Sequence, residues 1–165
     1  MYREAIREKD SRIYSICCHF FGPRDEAKDA YQEILLKIWL NILKFRGEAQ
    51  LKTWITRIAV NVCLTILSKT KKSSSVFVPF PHQDFYHRAD ENEDDQWKEE
   101  AKMKYFEEFK SRLNPIDKTL VSLYLEEIEY REISEITGLS EANARTRIHR
   151  IKKQIKKEWE EKYGA

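Results

Sequence analysis

The sequence predicts an all-α protein in which two small helical domains are joined by a flexible acidic linker and the C-terminal domain contains a helix-turn-helix. Only four Gly and four Pro occur among 165 residues, which is too few turn-forming residues for an all-β or loop-rich fold. Apolar residues recur at helical spacing along most of the chain, but this periodicity disappears between residues 73 and 96. We therefore expect one domain at residues 1–72, a linker at 73–96 and a second domain at 97–165.

The N-terminal segment predicts three amphipathic helices. The first contains apolar residues from Ile6 to Phe20 and ends near Gly22-Pro23. The second extends from about Arg24 to Leu43, and Asp25-Glu26 favour its N-terminus through the helix macrodipole. The third extends from about Leu51 to Ser68. Each helix has an apolar face that we expect to be buried.

The third predicted helix also carries a basic surface. The stretch from Leu51 to Lys72 contains five basic residues and no acid, although the whole chain has 30 basic and 28 acidic residues. Trp54 lies at helical spacing from Ile58, which favours a core position over a surface one. The positive charge of this helix is therefore local, and it predicts contact with an anionic partner.

The linker is marked by its composition. It opens with three serines and contains Pro79 and Pro81, and it closes with the acidic run from Asp90 to Asp95. Its net charge is −5, because six acids are opposed by Arg88 alone. This composition is typical of a flexible spacer.

The C-terminal segment predicts a helix from about Trp97 to Arg112 and a second helix that begins with Asn114 as N-cap and Pro115 in its first turn. Two short helical patterns follow, separated by Gly138-Leu139-Ser140. Gly138 can adopt the left-handed conformation that ends a helix, and Ser140 is a good N-cap for the next one. The buried stripe of that last helix is predicted at Ala144, Ile148, Ile151 and Ile155.

The last helix is strongly basic. From Gly138 to Lys157 there are seven Lys or Arg and one acid, Glu141. Asn and Arg side chains suit base edges, and Arg and Lys neutralise phosphates, so we interpret the pair of helices as a DNA-binding helix-turn-helix. The alternative is a solvated basic helix in an ordinary bundle. The residues expected to face outward are Asn143, Arg145, Thr146, Arg147, His149 and Arg150.

No catalytic, metal or cofactor site is predicted. Adjacent cysteines on a helix point about 100° apart, so Cys17-Cys18-His19 favours helix packing over zinc binding. Paired carboxylates near a basic site and a phosphate-binding Gly loop are both missing from the sequence, which argues against a nuclease or other enzyme and against a small-molecule substrate. The charged N-terminus and the lack of an apolar run of about 20 residues predict a cytoplasmic protein that does not insert into the membrane.

The order of these parts resembles the sigma-70 family of bacterial initiation factors, in particular its small extracytoplasmic-function (ECF) type. Asp25 to Glu33 with Lys37-Ile38-Trp39 is similar to the family's polymerase-binding region. Phe45-Arg46-Gly47 followed by Thr53 to Asn61 is similar to its promoter-melting region. Leu113 to Lys153 is similar to its C-terminal helix-turn-helix.

The resemblance implies two partners, core RNA polymerase and promoter DNA. The second helix would contact a coiled coil of the polymerase, the β′ clamp helices. An anti-sigma factor is a further partner that the resemblance implies, because such factors commonly hold members of this family inactive. The polymerase-binding residues implied are Asp29, Gln32, Glu33, Leu36, Lys37 and Trp39.

The resemblance also assigns DNA contacts at two promoter elements. At the −10 element Asn61 would read a flipped base, while Lys52, Arg57 and Lys69 would hold phosphates. The C-terminal domain would recognise the −35 element, and the acidic linker would pass through the polymerase where it could mimic RNA. The −35 contacts implied are Ser140, Asn143, Arg145, Thr146, Arg147, His149, Arg150 and Lys153.

A second hypothesis remains open at this point. A helix-turn-helix regulator could use an N-terminal helical domain for dimerisation or sensing. Such a regulator has no need for the acid-free basic helix that carries Asn61, so the N-terminal half separates the two interpretations.

Overall fold

The computed structural model describes residues 10–70 and 93–164, with side chains at 12–70 and 98–164. Most of the predicted linker, 73–92, lies outside these residues. The described residues contain seven α-helices, a 3₁₀ turn at Ile42–Lys44 and no strand, which confirms the all-α prediction. The helices are α1 (Asp10–Phe21), α2 (Asp25–Asn41), α3 (Leu51–Thr70), α4 (Glu93–Arg112), α5 (Pro115–Leu125), α6 (Tyr130–Thr137) and α7 (Glu141–Tyr163).

Helices α1, α2 and α3 pack together through the apolar faces that the sequence predicts. Cys17 and Cys63 are completely buried in this core, which agrees with a packing role. A hydrogen bond to Cys17 and burial raise the pKa of the Cys63 thiol far above its ordinary value, so it stays protonated. The other fully buried side chains of this core include Ile16, Ala27, Ala30, Ile34, Ile38 and Ala59.

Helix α3 is long and apolar enough to cross a membrane by length and composition alone. In the structure its apolar face is instead directed into the protein, where Ile55, Ala59 and Val62 are buried against α1 and α2. Its opposite face carries exposed polar residues. The helix is therefore a core element, as amphipathic periodicity predicts.

The second domain consists of α4 to α7, and its turns follow the sequence closely. The Asn114 side chain accepts a hydrogen bond from the backbone N–H of Asp117, with Pro115 in the first turn. Gly138 has a φ of 77° and ends α6, and the Ser140 hydroxyl accepts from the backbone N–H of Asn143. The predicted helix-turn-helix is confirmed as α6 and α7. Helix α4 begins at Glu93, four residues before the expected start. The sequence Glu93-Asp94-Asp95 is acidic, and acidic residues favour the N-terminus of a helix.

The described parts of the two domains are in direct contact and share one apolar core. Helix α1 packs on α5, and α3 packs on α6. At the first contact Glu126, just after α5, accepts hydrogen bonds from Ser15 and from the His19 ring, the latter at 3.1 Å. Burial opposes ionisation of Glu126, but the bonds from His19 and Ser15 outweigh it, and its pKa is lowered. A charged acid is thus stabilised between the domains.

The second contact joins the basic face of α3 to the first helix of the helix-turn-helix. Glu132 on α6 accepts a hydrogen bond from the Thr53 hydroxyl at 3.0 Å and lies 3.6 Å from the Lys52 ammonium. One turn further along α3, the Arg57 guanidinium donates to the backbone carbonyl of Glu135. These two hydrogen bonds and one ion pair define the α3–α6 contact.

A separate cluster joins the ends of α4 and α7. The Glu158 carboxylate accepts bonds of 2.8 Å from Arg112, 2.9 Å from Gln154 and 2.8 Å from the Tyr105 hydroxyl. These hydrogen bonds lower the pKa of Glu158 to about 2. The Tyr105 ring also packs edge-on against Trp159, with centroids 5.5 Å apart.

The pKa of Glu158 leads to a prediction for stability in acid. A carboxylate with a depressed folded-state pKa stabilises the protein above its unfolded pKa of about 4.3, and this contribution disappears as the pH falls towards 2. We expect Glu158→Gln to reduce the free energy of unfolding by about 1 kcal/mol at pH 7. The deficit should shrink between pH 5 and pH 2, as measured by thermal unfolding.

The control for this experiment is Glu160→Gln, on the same helix. Glu160 is exposed and lies 3.8 Å from Lys156, so its loss should have little effect at any pH. Parallel pH profiles for the wild type and Glu158→Gln would contradict the role of Glu158.

The α3–α6 contact leads to a second prediction. Glu132→Lys removes the acceptor of the buried Thr53 hydroxyl and places a cation beside Lys52. We expect it to weaken the contact by about 1–3 kcal/mol, because a buried polar group loses its partner. Amide hydrogen exchange in the first turns of α3 should become faster, and the radius of gyration should rise.

The matched control is Glu135→Lys, which makes the same charge change on the same helix. Its side chain is exposed, and only its backbone carbonyl takes part in the contact. Equal exchange rates in the two variants would show that Glu132 does not hold the domains together.

Candidate nucleic-acid interface

The outer face of α7 carries most of the residues predicted to bind the −35 element. Ala144, Ile148 and Ile151 are buried, which turns the opposite face to solvent. Arg147 is half-buried, and Ser140 is used as the N-cap. The exposed members of the predicted set are Ser140, Asn143, Arg145, Thr146, His149, Arg150 and Lys153.

One flank of α7 lies against two tyrosines. The Arg145 guanidinium stacks over the Tyr130 ring at 4.1 Å, and the Lys152 ammonium lies 4.1 Å from the centre of the Tyr124 ring. Lys152 also donates a hydrogen bond to the Tyr124 hydroxyl. Cation–π contacts of this kind restrict the rotamers of long cationic side chains. Tyr124 lies at the surface, where its ring covers this flank.

The other flank of α7 lies against Asp117 on α5. Arg147 donates to one oxygen of this carboxylate at 3.0 Å, and Arg150 donates to the other at 3.2 Å. The Arg147 Nε also donates to the Asn143 side-chain oxygen at 3.2 Å. Sequence analysis missed Asp117, because an acid in the first turn of a helix is readily explained by the helix dipole.

The predicted −10 residues on α3 divide into two groups. Asn61 and Lys69 are exposed. Lys52 and Arg57 are engaged with α6 through the α3–α6 contact. Trp54 is half-buried and packs against the Phe45 ring, with centroids 5.3 Å apart, so it belongs largely to the core as expected.

The predicted polymerase-binding residues lie along the outer face of α2. Ile34 and Ile38 are fully buried, whereas Leu36 is 56% and Trp39 60% exposed. Asp29 and Gln32 are exposed, and Glu33 lies 3.8 Å from Lys37 along the same face.

The apolar part of this surface continues into Leu40 and Leu43, which are 62% and 96% exposed and which sequence analysis did not single out. The sequence signal was present, because apolar residues here outnumber those that one buried stripe requires. An exposed apolar strip of this kind marks an interaction surface.

Two known families match this chain. Residues 6–73 match the family Sigma-70 region 2, and residues 103–155 match the family Sigma-70, region 4. The first matched segment contains α2 and α3, and the second contains the helix-turn-helix. The basic surfaces of α3 and α7 thus lie in separate matched segments.

Curated relatives carry related names. The ECF RNA polymerase sigma factor SigG of Mycobacterium tuberculosis is 39% identical over 56 residues, a segment that covers 34% of this chain but spans 15% of that protein. The ECF RNA polymerase sigma factor SigW of Bacillus subtilis is 25% identical over 154 residues, which cover 89% of this chain and 82% of SigW.

Solved structures show the same fold. The sigma factor RpoE of Bartonella quintana, solved in complex with the anti-sigma factor NepR, superposes with a TM-score of 0.70 at 17% identity, covering 94% of this chain and 96% of RpoE. CnrH, solved in complex with the cytosolic domain of CnrY, gives a TM-score of 0.66 at 14% identity, covering 94% of this chain and 84% of CnrH.

Proposed function

Because this chain belongs to the sigma-70 family, and within it to the ECF type, we propose that it binds core RNA polymerase and directs promoter-specific initiation of transcription. One observation carries the proposal: the two basic helical surfaces, on α3 and α7, fall separately in the segments matched by sigma-70 regions 2 and 4. Two such surfaces on one chain suit two DNA elements held at a fixed spacing.

We assign −35 recognition to α7 in the C-terminal domain, residues 97–165. Asn143, Thr146 and His149 are exposed on this helix and offer hydrogen-bonding groups at the positions where a recognition helix meets base edges. Arg145, Arg150 and Lys153 add positive charge for bases or phosphates. Ser140 and Arg147 would contact DNA from the edge of this face, because Ser140 caps the helix and Arg147 is half-buried.

We assign −10 recognition and melting to α3 in the N-terminal domain, residues 1–72. Asn61 is exposed in the middle of the helix, where its amide could hydrogen-bond to an unstacked base. Lys69 lies two turns further on. Lys52 and Arg57 can hold phosphates only after they leave α6, so engagement of the −10 element requires the α3–α6 contact to open.

We assign polymerase binding to the outer face of α2. Leu36 and Trp39 supply exposed apolar area, and Asp29, Gln32, Glu33 and Lys37 supply polar groups around it. An apolar centre with a charged rim is typical of a protein–protein interface. The β′ clamp helices are the proposed partner, and residues 73–96 are the proposed linker between the two DNA-binding domains.

The remaining assignments follow from the family. Sigma factors in general are not enzymes, and we propose that this chain has no catalytic activity or cofactor of its own. We place its action in the cytoplasm, where polymerase and promoter DNA are found. RpoE of Bartonella quintana was solved with an anti-sigma factor, and we propose a partner of that class here.

Run-off transcription tests the proposed function. Purified protein is mixed with bacterial core RNA polymerase and a random-sequence duplex library, and the transcripts are sequenced. We expect start sites that share an upstream and a downstream element at constant spacing. Tight binding to duplex DNA by the isolated protein, without transcripts when core enzyme is added, would favour a simple helix-turn-helix regulator instead.

Arg145 provides a test of −35 reading. If its guanidinium contacts a base, Arg145→Ala should reduce discrimination between the selected promoter and the same duplex with a scrambled −35 element by about 1–3 kcal/mol. Holoenzyme binding to the two duplexes gives this quantity. Arg145→Lys is the control that separates charge from geometry, because it keeps the positive charge but loses the planar guanidinium fork. Unchanged discrimination in Arg145→Ala would reject the assignment.

Asn61 provides a test of promoter melting. Asn61→Ala should slow open-complex formation by about tenfold while polymerase binding stays unchanged, because one contact to an unstacked base is lost. Permanganate footprinting measures the opening, and a pull-down with core enzyme measures the binding. Thr65→Ala, one turn away on the same exposed face, is the control. Equal loss of binding and opening would instead assign Asn61 a structural role.

A further inference from the structure

Asp117 lies where α5 meets the recognition helix α7, and both of its carboxylate oxygens are used. It is 5% exposed. One oxygen accepts from Arg147 at 3.0 Å, and the other accepts from Arg150 at 3.2 Å and from the Asn114 side-chain amide at 2.9 Å. Asn114 is itself fixed, because its oxygen caps α5 through the Asp117 backbone N–H. Asn114, the N-cap of the same helix, therefore fixes the orientation of the Asp117 carboxylate.

The hydrogen bonds continue from Asp117 to the outer face of α7. Arg147, the half-buried member of the pair, donates its Nε to the Asn143 side-chain oxygen at 3.2 Å. Arg150 keeps a side chain that is 62% exposed while one of its nitrogens is bound. Asp117 thus orients two exposed DNA-facing groups, the Asn143 amide and the remaining N–H groups of Arg150.

This arrangement affects two quantities that determine sequence selectivity. An arginine whose guanidinium is already held loses less rotamer freedom when it binds a base or a phosphate, so a correct site gains affinity. A fixed negative charge beside the basic face also reduces the general attraction for phosphates, so incorrect sites lose affinity. Both effects raise the ratio of specific to non-specific binding.

We propose that Asp117 is a positioning residue for promoter recognition, which sets the orientation of Arg150 and, through Arg147, of Asn143. This inference rests on the proposed function of α7 as the helix that reads the −35 element. A carboxylate that only tied α5 to α7 would affect stability, but it would not change the ratio of affinities for two DNA sequences.

The test uses holoenzyme assembled from the full chain and core polymerase. One probe is the duplex most enriched from a random-sequence library by the wild-type holoenzyme, and the second is the same duplex with its −35 element scrambled. For Asp117→Asn we expect discrimination between the probes to fall by about tenfold, with higher affinity for the scrambled duplex. The ratio is insensitive to partial unfolding, because inactive protein lowers both affinities alike.

Glu141→Gln is the matched control. It makes the same change in net charge at an exposed position in the first turn of α7, and within the described residues Glu141 forms no ion pair. We expect it to raise both affinities by a similar factor and to leave the ratio unchanged. An equal loss of discrimination in this control would assign the effect to charge alone and overturn the positioning role.

A chain that lacks both arginines provides a second control. In a chain that already carries Arg147→Ala and Arg150→Ala, Asp117→Asn should have no further effect on discrimination, because the groups it orients are gone. A further loss there, or unchanged discrimination in Asp117→Asn alone, would overturn the proposal. Failure of the wild-type holoenzyme to enrich any duplex would instead reject the proposed function itself.

Discussion

The structure depends on one constraint: each helix has a single apolar stripe, and these stripes must meet away from water. In the described residues most of them meet in one core that both domains share, with Ile16 and Ile55 on one side and Leu120 and Ile133 on the other. A second, smaller cluster is formed by Tyr105, Phe109, Val121 and Ile151. Burying these side chains is the main stabilising contribution, at about 25 cal/mol for each Å² removed from water. Because the stripes fix the rotation of every helix, they also decide which charged faces are displayed.

The exposed faces of α7, α3 and α2 then differ in their charge. On α7 the cations are held from both sides, by the Tyr130 ring and by the Asp117 carboxylate, so a flexible basic surface becomes an ordered one. On α3 part of the positive charge is covered by Glu132. The outer face of α2 is different, because it is apolar at Trp39 and Leu43, which suits a protein partner more than a nucleic acid.

Sequence patterns predicted the features that depend on local chemistry. Gly138 and Ser140 define the turn between α6 and α7, and Asn114 defines the start of α5, because caps and left-handed turns use neighbouring residues. Contacts between residues far apart in sequence could not be predicted. Asp117 and Arg147 are 30 positions apart, and Thr53 and Glu132 are 79 apart. Spacing along one helix contains no information about such pairs, which arise only when the stripes meet.

The α3–α6 contact has a consequence for the concentration at which the protein acts. Lys52 and Arg57 are bound to α6 in the structure, and they are also the residues that we propose to hold phosphates of the −10 element. On that proposal DNA and α6 compete for the same two cations, so measured affinity equals intrinsic affinity multiplied by the fraction of molecules that are open. Every 1.4 kcal/mol or so by which closure is favoured makes that fraction about ten times smaller. Free chains would consequently bind weakly to chance sequence matches in a genome. Occupancy of DNA would rise steeply only where a second ligand binds preferentially to the form in which α3 and α6 are separated.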